Sequence, residues 1–403
     1  MAFSSRPEAR GPGSLMSREA RFLLLASADQ PDAEGLRQLL DEGLDWPRLT
    51  RLAVVEKAVP VLWRVLVATG DRKIIGAVPE SFRRLATVAE FKAVHLQRRL
   101  EDAIQLLWNE RVEVTLLKGA ALARTVYRSE FDRPMGDVDI LVPAEHALRA
   151  QALLQRAGWV PKETDSGEEF YAGHHHLPPL VDGAGTGMGL EVHTALFAPD
   201  SPVDLPVADV IADSQPIEIG GAEVRVPSAR HMMLHACLHY AWSHGFGHGS
   251  WRALRDIDAV RRHAVLDPAD FMRLADRSRG ATSCYWTLRI AHASGVADIP
   301  TQLIDPLRPE GSEVLFRGLE RYFLSYLFPQ EARPPSVWVT QRAWELAIQP
   351  EASGHGSHRP WDAQARVRPD SAVPVSVKVR QQLRRAREWG RFAKRILIDS
   401  PSS

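Results

Sequence analysis

The chain has 403 residues, 45% of them hydrophobic and 25% charged, a composition typical of a globular protein with roughly two or three domains. Its 50 basic side chains balance 50 acidic ones, so no overall charge favours a nucleic acid, and we expect none as a partner. Two cysteines, Cys237 and Cys284, neither form a disulfide framework nor have zinc-site spacing, which favours a reducing, cytoplasmic compartment.

The first part of the chain is predicted to be helical. Residues 1–16, rich in Ser, Gly, Pro and Arg, are expected to be a flexible leader. The stretch RFLLLASADQ at 21–30 resembles a short signal peptide, but helical periodicity continues beyond it, so we predict the first helix of a folded domain. Residues 17–111 are assigned to an N-terminal helical region that ends in a long helix opened by Pro79. No apolar run reaches the roughly 18 residues of a membrane span.

The period then changes to that of strands. VEVTLL at 112–117 and GDVDILVP at 136–143 are each a predicted strand followed by a helix. Further strands are predicted in HHHLPPLV, in GLEVHTALF and on both sides of the Gly-Gly turn in IEIGGAEVRVP. We therefore place a mixed α/β domain at residues 112–228.

The remainder returns to a helical period. Residues 229–349 are predicted to form a C-terminal helical domain, and 350–376, rich in Pro, Ser, Gly and His, a linker. Residues 377–403 are predicted to contain a basic amphipathic helix. Such a helix suits peripheral contact with an anionic membrane or a partner, although packing on its own chain is the commoner outcome.

Two aspartates define the candidate site. In a strand, residues two apart face one side, so Asp137 and Asp139 present their carboxylates together while Val138 and Ile140 face the core. Two carboxylates this close repel each other unless a cation lies between them, and a hard divalent cation suits that position. The plainer alternative is that each aspartate caps a turn or pairs with an arginine such as Arg133.

The surrounding residues strengthen the metal interpretation. A strand ends in Lys118-Gly119 and turns directly into a helix, which presents free amides and a lysine to phosphate oxygens, and Arg133 is a candidate for stabilising developing charge. Glu191 offers a third carboxylate, with Asp182 in a glycine-rich turn as the alternative. Three carboxylates on adjacent strands suit two Mg²⁺ ions that act in phosphoryl or nucleotidyl transfer.

A second Asp-x-Asp pair, Asp256 and Asp258, lies in a predicted helix. Residues two apart on a helix diverge, so these carboxylates do not chelate one ion together. An intrahelical pair between Asp256 and Arg252 is the expected role.

Several histidines fall into groups. One group has the spacing of a single helix face, the second is a run in a loop or strand edge, and a last histidine shares a strand face with Glu191. Packing or a solvated edge is the expected role of these groups, with metal or substrate binding as the alternative. They are, in order, His231, His235 and His239, followed by His244 and His248; then His174, His175 and His176; and finally His193.

The motifs TLLKGAAL, RPMGDVDILV, LLQRAGW, LEVHTALF, HMMLHACLH and WRALRDIDAV together resemble the uncharacterised nucleotidyltransferase family of bacterial gene clusters, within the DNA polymerase β-like superfamily. The resemblance covers roughly residues 80–300. It implies an α+β fold, a polymerase-β-like mixed sheet flanked by helical regions, with Asp137 and Asp139 as Mg²⁺ ligands and Asp256 facing the catalytic domain. The Lys118-Gly119 turn stands where better-known relatives have Gly-Ser, and Glu191 where an aspartate is usual.

We therefore predict a Mg²⁺-dependent nucleotidyltransferase that moves a nucleoside monophosphate from an NTP to an unidentified acceptor and releases pyrophosphate. The acceptor classes left open are a small molecule, a sugar, a peptide and a protein. The alternative is a non-catalytic nucleotide-binding or scaffold protein that retains the fold. A metal-dependent glycosyltransferase shares the Asp-x-Asp signature but has a longer nucleotide-binding sheet before it.

Overall fold

The computed structural model describes residues 16–27, 31–163, 171, 173–330, 336–349 and 375–394. The predicted leader, apart from Met16, and residues 350–374 of the predicted linker lie outside the described residues. The described helices, numbered α1 to α17, are Arg18–Leu25, Ala33–Asp41, Trp46–Val55, Val59–Ala68, Arg72–Ala77, Glu80–Asn109, Lys118–Thr125, Ala147–Arg156, Val207–Ala212, Ala229–Trp242, Ser250–His263, Pro268–Arg277, Ala281–Ala293, Thr301–Ile304, Glu313–Ser325, Val337–Ile348 and Val375–Ala393. The strands, β1 to β7, are Thr115–Leu116, Asp137–Leu141, Trp159–Pro161, Leu180–Asp182, Gly189–His193, Gln215–Ile219 and Ala222–Val226.

The N-terminal region is helical, as predicted. The apolar run that resembles a signal peptide lies in α1, where Phe22 and Leu23 are buried in the core. Helix α6 is 30 residues long and begins directly after Pro79, whose fixed φ suits a helix start. It packs on α4, on α8 and on β7, so it connects the N-terminal helices to the sheet.

The seven strands form one mixed sheet in the order β3-β4-β5-β2-β1-β7-β6. The central strand β2 is parallel to β5 and antiparallel to β1. Together with the surrounding helices this confirms the predicted α+β class. The strand expected at 112–117 is reduced to Thr115–Leu116, because the chain turns into α7 at Leu117. The short strand β3 was not predicted from the sequence.

The C-terminal helices pack around large buried aromatic side chains, among them Trp251 and Trp286. The tail helix α17 packs on α16, with the rings of Trp338 and Trp389 6.0 Å apart, and Phe392 lies 5.2 Å from Tyr322. This is the commoner of the two outcomes expected for the tail. Within the described residues, no helix is both long and apolar enough to span a bilayer.

Glu56, at the end of α3, ties the N-terminal helices to the C-terminal ones. It is 1% exposed, and its carboxylate accepts hydrogen bonds from the Trp251 amide at 3.0 Å and from Gln330 Nε2 at 3.2 Å. Burial raises the pKa of the Glu56 carboxyl, and these hydrogen bonds oppose the rise. The two hydrogen bonds therefore offset part of the cost of burying the Glu56 carboxylate. In return, Glu56 accepts a hydrogen bond from an amide in the first turn of α11.

Replacement of this acid tests its role in the junction. Glu56→Ala is expected to lower the free energy of unfolding by about 1–3 kcal/mol, because the Trp251 amide is left buried without an acceptor. Glu56→Gln keeps one oxygen and is expected to lose less. Urea denaturation measures both, with the exposed Glu113→Ala as control; equal stability of Glu56→Ala and Glu113→Ala would contradict the assignment.

Candidate active site

The register between β2 and β5 places two carboxylates side by side. Asp139 is the direct partner of Glu191, while Asp137 is opposite Gly189, a residue without a side chain. Asp139 is 7% exposed, Glu191 is half-buried, and Asp137 is exposed at the start of the strand. Val138 and Ile140 are buried in the core, whereas Asp137 and Asp139 both line one cavity, in agreement with the two-residue period of a strand.

His193 completes this cluster from the same face of β5. Its Nε2 donates to Asp139 Oδ1 at 2.9 Å and lies 3.4 Å from Glu191 Oε2. The ligand atoms of Asp139, Glu191 and His193 all lie within 4.8 Å of one another. The spacing of two residues placed His193 on the strand face of Glu191, but the sequence did not show that its imidazole would contact Asp139.

Lys118 reaches the cluster from the opposite side. It opens α7 with a left-handed φ of 45°, and its Nζ lies 2.7 Å from Asp139 Oδ1. The preceding amide, that of Leu117, donates to the Asp139 carbonyl at 3.0 Å, which fixes the turn against β2. A left-handed lysine is unfavourable, so the surrounding structure has to hold it there. The lysine predicted to bind phosphate thus pairs with a carboxylate.

The charges of the cluster depend on one another. Burial by itself would raise the pKa of Asp139, but Lys118 and His193 hold it well below its ordinary value. Burial opposes the charged forms of Lys118 and His193, yet the neighbouring carboxylates raise the pKa of both. Burial would raise the pKa of Glu191, but the hydrogen bond from His193 and the charges of His176 and Lys118 together lower it. The carboxylates are therefore ionised and partly neutralised by two cations of the chain itself.

Gly119 allows α7 to approach the segment before β2. A Cβ atom at this position would lie 3.2 Å from Met135 Sδ, closer than ordinary packing, and 3.4 Å from Arg133 Nη1. Gly119 also lines the cavity beside the carboxylates. Its predicted contact with phosphate stays a prediction.

Arg133 does not pair with the Asp-x-Asp motif. Its Nε and Nη2 donate to the two oxygens of Asp256 at 2.7 and 2.8 Å, and Tyr127 Oη donates to the same carboxylate at 2.7 Å. The expectation that Asp256 pairs with Arg252 on its own helix was wrong, because the bidentate guanidinium from the sheet domain takes both oxygens. Asp256 faces the sheet domain, as the family resemblance implied.

Two further cations face the cavity and were missed in the sequence. Lys57, between α3 and α4, and Arg252, in α11, both line it, and no carboxylate of the described residues lies within 4.0 Å of the Lys57 ammonium. Burial lowers the pKa of Lys57, while the charge of Asp137 opposes this. Lys57 carries no local motif, so only the packing of the N-terminal helices reveals it.

A cavity of about 320 Å³ lies between the sheet edge and α10, in the size range of small-molecule sites. His235 and His239 of α10 and His244 of the following loop line one wall, and burial lowers the pKa of His235 to about 3 and of His244 to about 4. These imidazoles are neutral near pH 7. His231, from the same predicted face, lies instead 3.0 Å from Asp213, so the face does not form one metal site.

Asp182, the alternative third carboxylate, lies outside the cluster. Its side chain accepts hydrogen bonds from His95 Nε2 at 3.0 Å and Thr186 Oγ1 at 2.9 Å, and Arg99 lies 3.2 Å away. These contacts join the β4–β5 turn to α6, which is a structural role. Glu191 is the carboxylate that stands beside Asp139.

Residues 42–294, more than half of the chain, match the family described as an uncharacterised nucleotidyltransferase, and the chain belongs to that family. The matched range includes Lys57, Asp137, Asp139, Glu191 and Asp256. No curated protein and no solved structure matches the chain. The recognition made from the motifs is thereby confirmed.

The pair between Arg133 and Asp256 predicts strong coupling. Arg133→Ala and Asp256→Ala are each expected to lower the free energy of unfolding by about 3–5 kcal/mol, because each leaves a buried charge without its partner. The double variant is expected to lose much less than the sum. A double-mutant cycle in urea measures the coupling, and the exposed pair Arg149–Glu110 is the control, with coupling of about 0–1 kcal/mol. Additive losses at Arg133 and Asp256 would refute the assignment.

Proposed function

We propose that this chain is a divalent-metal-dependent nucleotidyltransferase that transfers a nucleoside monophosphate from an NTP to an acceptor with release of pyrophosphate. The observation that carries the proposal is the register of β2 and β5, which sets Asp139 beside Glu191 with Asp137 at the open end of the same strand. Family membership supports the reaction class. The cationic side chains across the cavity support a polyphosphate substrate.

The donor chemistry of the cluster fits a hard cation. Asp137, Asp139 and Glu191 offer carboxylate oxygens to one cavity, which is the ligand type that Mg²⁺ prefers. Both cationic contacts of Asp139 fall on the same oxygen, Oδ1. We propose these three carboxylates as the ligands of Mg²⁺, with two ions in the active enzyme. Bound there, Mg²⁺ supplies positive charge to the phosphates and lowers the pKa of a coordinated hydroxyl.

The protein's own residues have separate roles in the proposed reaction. Lys57 and Arg252 bind the phosphate oxygens, because they present charge to the cavity and no carboxylate of the described residues forms an ion pair with either within 4.0 Å. Lys118 and His193 hold Asp139 and Glu191 ionised and in position before the nucleotide binds. Arg133 contributes positive charge from its anchored position on Asp256.

Glu191 is the candidate base for the acceptor. Its carboxylate has a lowered pKa and 24% of its side chain is exposed, so it is ionised and accessible from the cavity. In the proposed step the acceptor hydroxyl gives its proton to Glu191 while its oxygen bonds to the α-phosphorus, and the bond to pyrophosphate breaks. The acceptor is a small molecule, sugar, peptide or protein, and we propose no nucleic acid partner.

A non-catalytic nucleotide-binding protein is the second candidate, and one observation favours it. The Lys118 ammonium lies 2.7 Å from Asp139 Oδ1 and supplies positive charge where a metal ion would bind. A protein that uses Lys118 in place of the ion would bind a nucleotide without needing Mg²⁺. The two candidates therefore differ in their metal dependence.

Thermal unfolding with each common NTP, with and without Mg²⁺, distinguishes the two candidates. A nucleotide at about 100 times its Kd is expected to stabilise the wild type by about 2.7 kcal/mol. In the enzyme this stabilisation requires Mg²⁺ and disappears in the Asp137→Asn, Asp139→Asn double variant. Asp102→Asn, whose side chain is 70% exposed on α6, is the matched control and is expected to behave as wild type. Stabilisation that ignores both Mg²⁺ and the double variant would replace the enzyme proposal by the nucleotide-binding one.

Replacement of Lys57 tests whether the N-terminal helices contribute a phosphate contact to the cavity. Lys57→Met is expected to weaken NTP binding roughly 10- to 100-fold, because a hydrogen bond between charged groups contributes about 1.5–3 kcal/mol. The melting temperature without ligand is expected to stay the same or rise, since a buried charge is removed. Isothermal titration calorimetry measures the affinity, with the exposed Lys92→Met on α6 as control. Unchanged affinity in Lys57→Met would exclude a phosphate contact.

A further inference from the structure

Three successive histidines, His174, His175 and His176, lie beside the end of β5 next to the carboxylate cluster. Their backbone is fixed to that strand: Leu177 N donates to Val192 O at 2.9 Å, and Thr194 N donates to His175 O at 2.9 Å. His176 also forms a β-bridge with His193. The run is therefore positioned by the sheet, and its side chains project from a fixed edge.

The three rings are gathered together. Their centroids are 4.1 Å apart for His174 and His175, 4.2 Å for His174 and His176, and 4.9 Å for His175 and His176. One nitrogen from each ring lies within 4.8 Å of the other two. A tetrahedral Zn²⁺ ion binds imidazole nitrogen at about 2.0–2.1 Å, so small rotations of the rings bring three nitrogens around one ion.

The histidines are in the form that binds a metal. His176 Nδ1 donates to the Leu177 carbonyl at 2.7 Å, so its proton is on Nδ1 and its Nε2 lone pair is available. This is the type of outer contact that orients metal-binding histidines in proteins. Burial, and then the neighbouring rings, lower the pKa of His175 to about 2, and burial also lowers the pKa of His176. Neutral imidazoles need not lose a proton when a metal binds.

We propose that His174, His175 and His176 form a second metal site, which takes a borderline transition-metal ion such as Zn²⁺ and is separate from the carboxylate cluster. Nitrogen donors of this kind favour Zn²⁺, Ni²⁺ or Cu²⁺ over Mg²⁺, which prefers oxygen. Three protein ligands leave a fourth position open. His176 Nε2 lies 3.9 Å from Glu191 Oε2, so the proposed histidine site borders on the proposed catalytic base.

One ring nitrogen of this histidine run is shielded from water, unlike the ring nitrogens of a solvated cluster. Within the described part of the chain, the buried Nδ1 of His175 has no hydrogen-bond partner. A ring nitrogen that is shielded from water and lacks a partner is unfavourable, and a metal ion would remove that deficit. The ion would also bind the 174–176 run to the strand that carries Glu191.

Titration with metal alone tests the proposal. The full chain, purified without a histidine tag and treated with a chelator, is titrated with Zn²⁺ by calorimetry in excess Mg²⁺, and separately with Co²⁺, whose visible absorption reports tetrahedral coordination. We expect one equivalent of Zn²⁺ per chain. Loss of an outer contact to a metal ligand lowers affinity 10- to 100-fold, so His175→Ala, which removes a ligand, is expected to lower it by about 100-fold or more. His174→Ala should do the same.

Two further variants show whether Zn²⁺ binds at the histidine run, at another histidine or at the carboxylate cluster. The exposed His263→Ala, at the end of α11, is expected to bind Zn²⁺ as wild type does. Asp139→Asn disables the carboxylate cluster and is expected to retain the Zn²⁺ site. Binding that survives His175→Ala and His174→Ala but is lost in Asp139→Asn would assign the ion to the carboxylates and overturn the proposal, as would no Zn²⁺ binding by the folded wild type. The readout is metal affinity, so it stands whether or not nucleotidyl transfer is found.

Discussion

The structure around the cavity depends on the burial of two neighbouring carboxylates. Parallel pairing of β2 and β5 places Asp139 directly opposite Glu191. Two carboxylates on directly paired residues repel each other in a medium of low polarity. Lys118 and His193 compensate for them from opposite sides. The left-handed backbone of Lys118 and the hydrogen bond from Leu117 to β2 are the local means by which that compensation is held in place. The same charges explain why the pKa of Asp139 is low despite its burial.

A second charged contact positions α11 against the sheet domain. The bidentate pair between Arg133 and Asp256, with Tyr127 on the same carboxylate, joins the sheet domain to α11, and Glu56 joins α11 to the N-terminal helices. The cavity is thus enclosed by all three regions of the chain. Arg133, paired with Asp256, helps to fix the walls of this cavity. Lys57 also lines the cavity and has no carboxylate partner among the described residues, so its positive charge is available to an anionic ligand.

The histidines divide according to the surface they occupy. His235 and His239 of α10 line the cavity, where burial lowers the pKa of both rings, whereas the carboxylates raise the pKa of His193. The run at 174–176 is clustered on itself and lies at the border of the carboxylates without belonging to them. The environment of each ring therefore decides its role, although all are the same residue type and several have similar spacing.

The sequence alone determined the features that depend on local backbone geometry. The two-residue period of a strand put Asp137 and Asp139 on one face, the Lys118-Gly119 turn opened a helix, and the ordered motifs identified the family. Tertiary structure alone decided which distant residues join them. The choice of Glu191 over Asp182 depends on strand register, the partner of Asp256 on helix packing against the sheet, and the presence of Lys57 on how the N-terminal helices dock. These contacts join segments far apart in the chain, so they depend on packing, which local residue patterns do not encode.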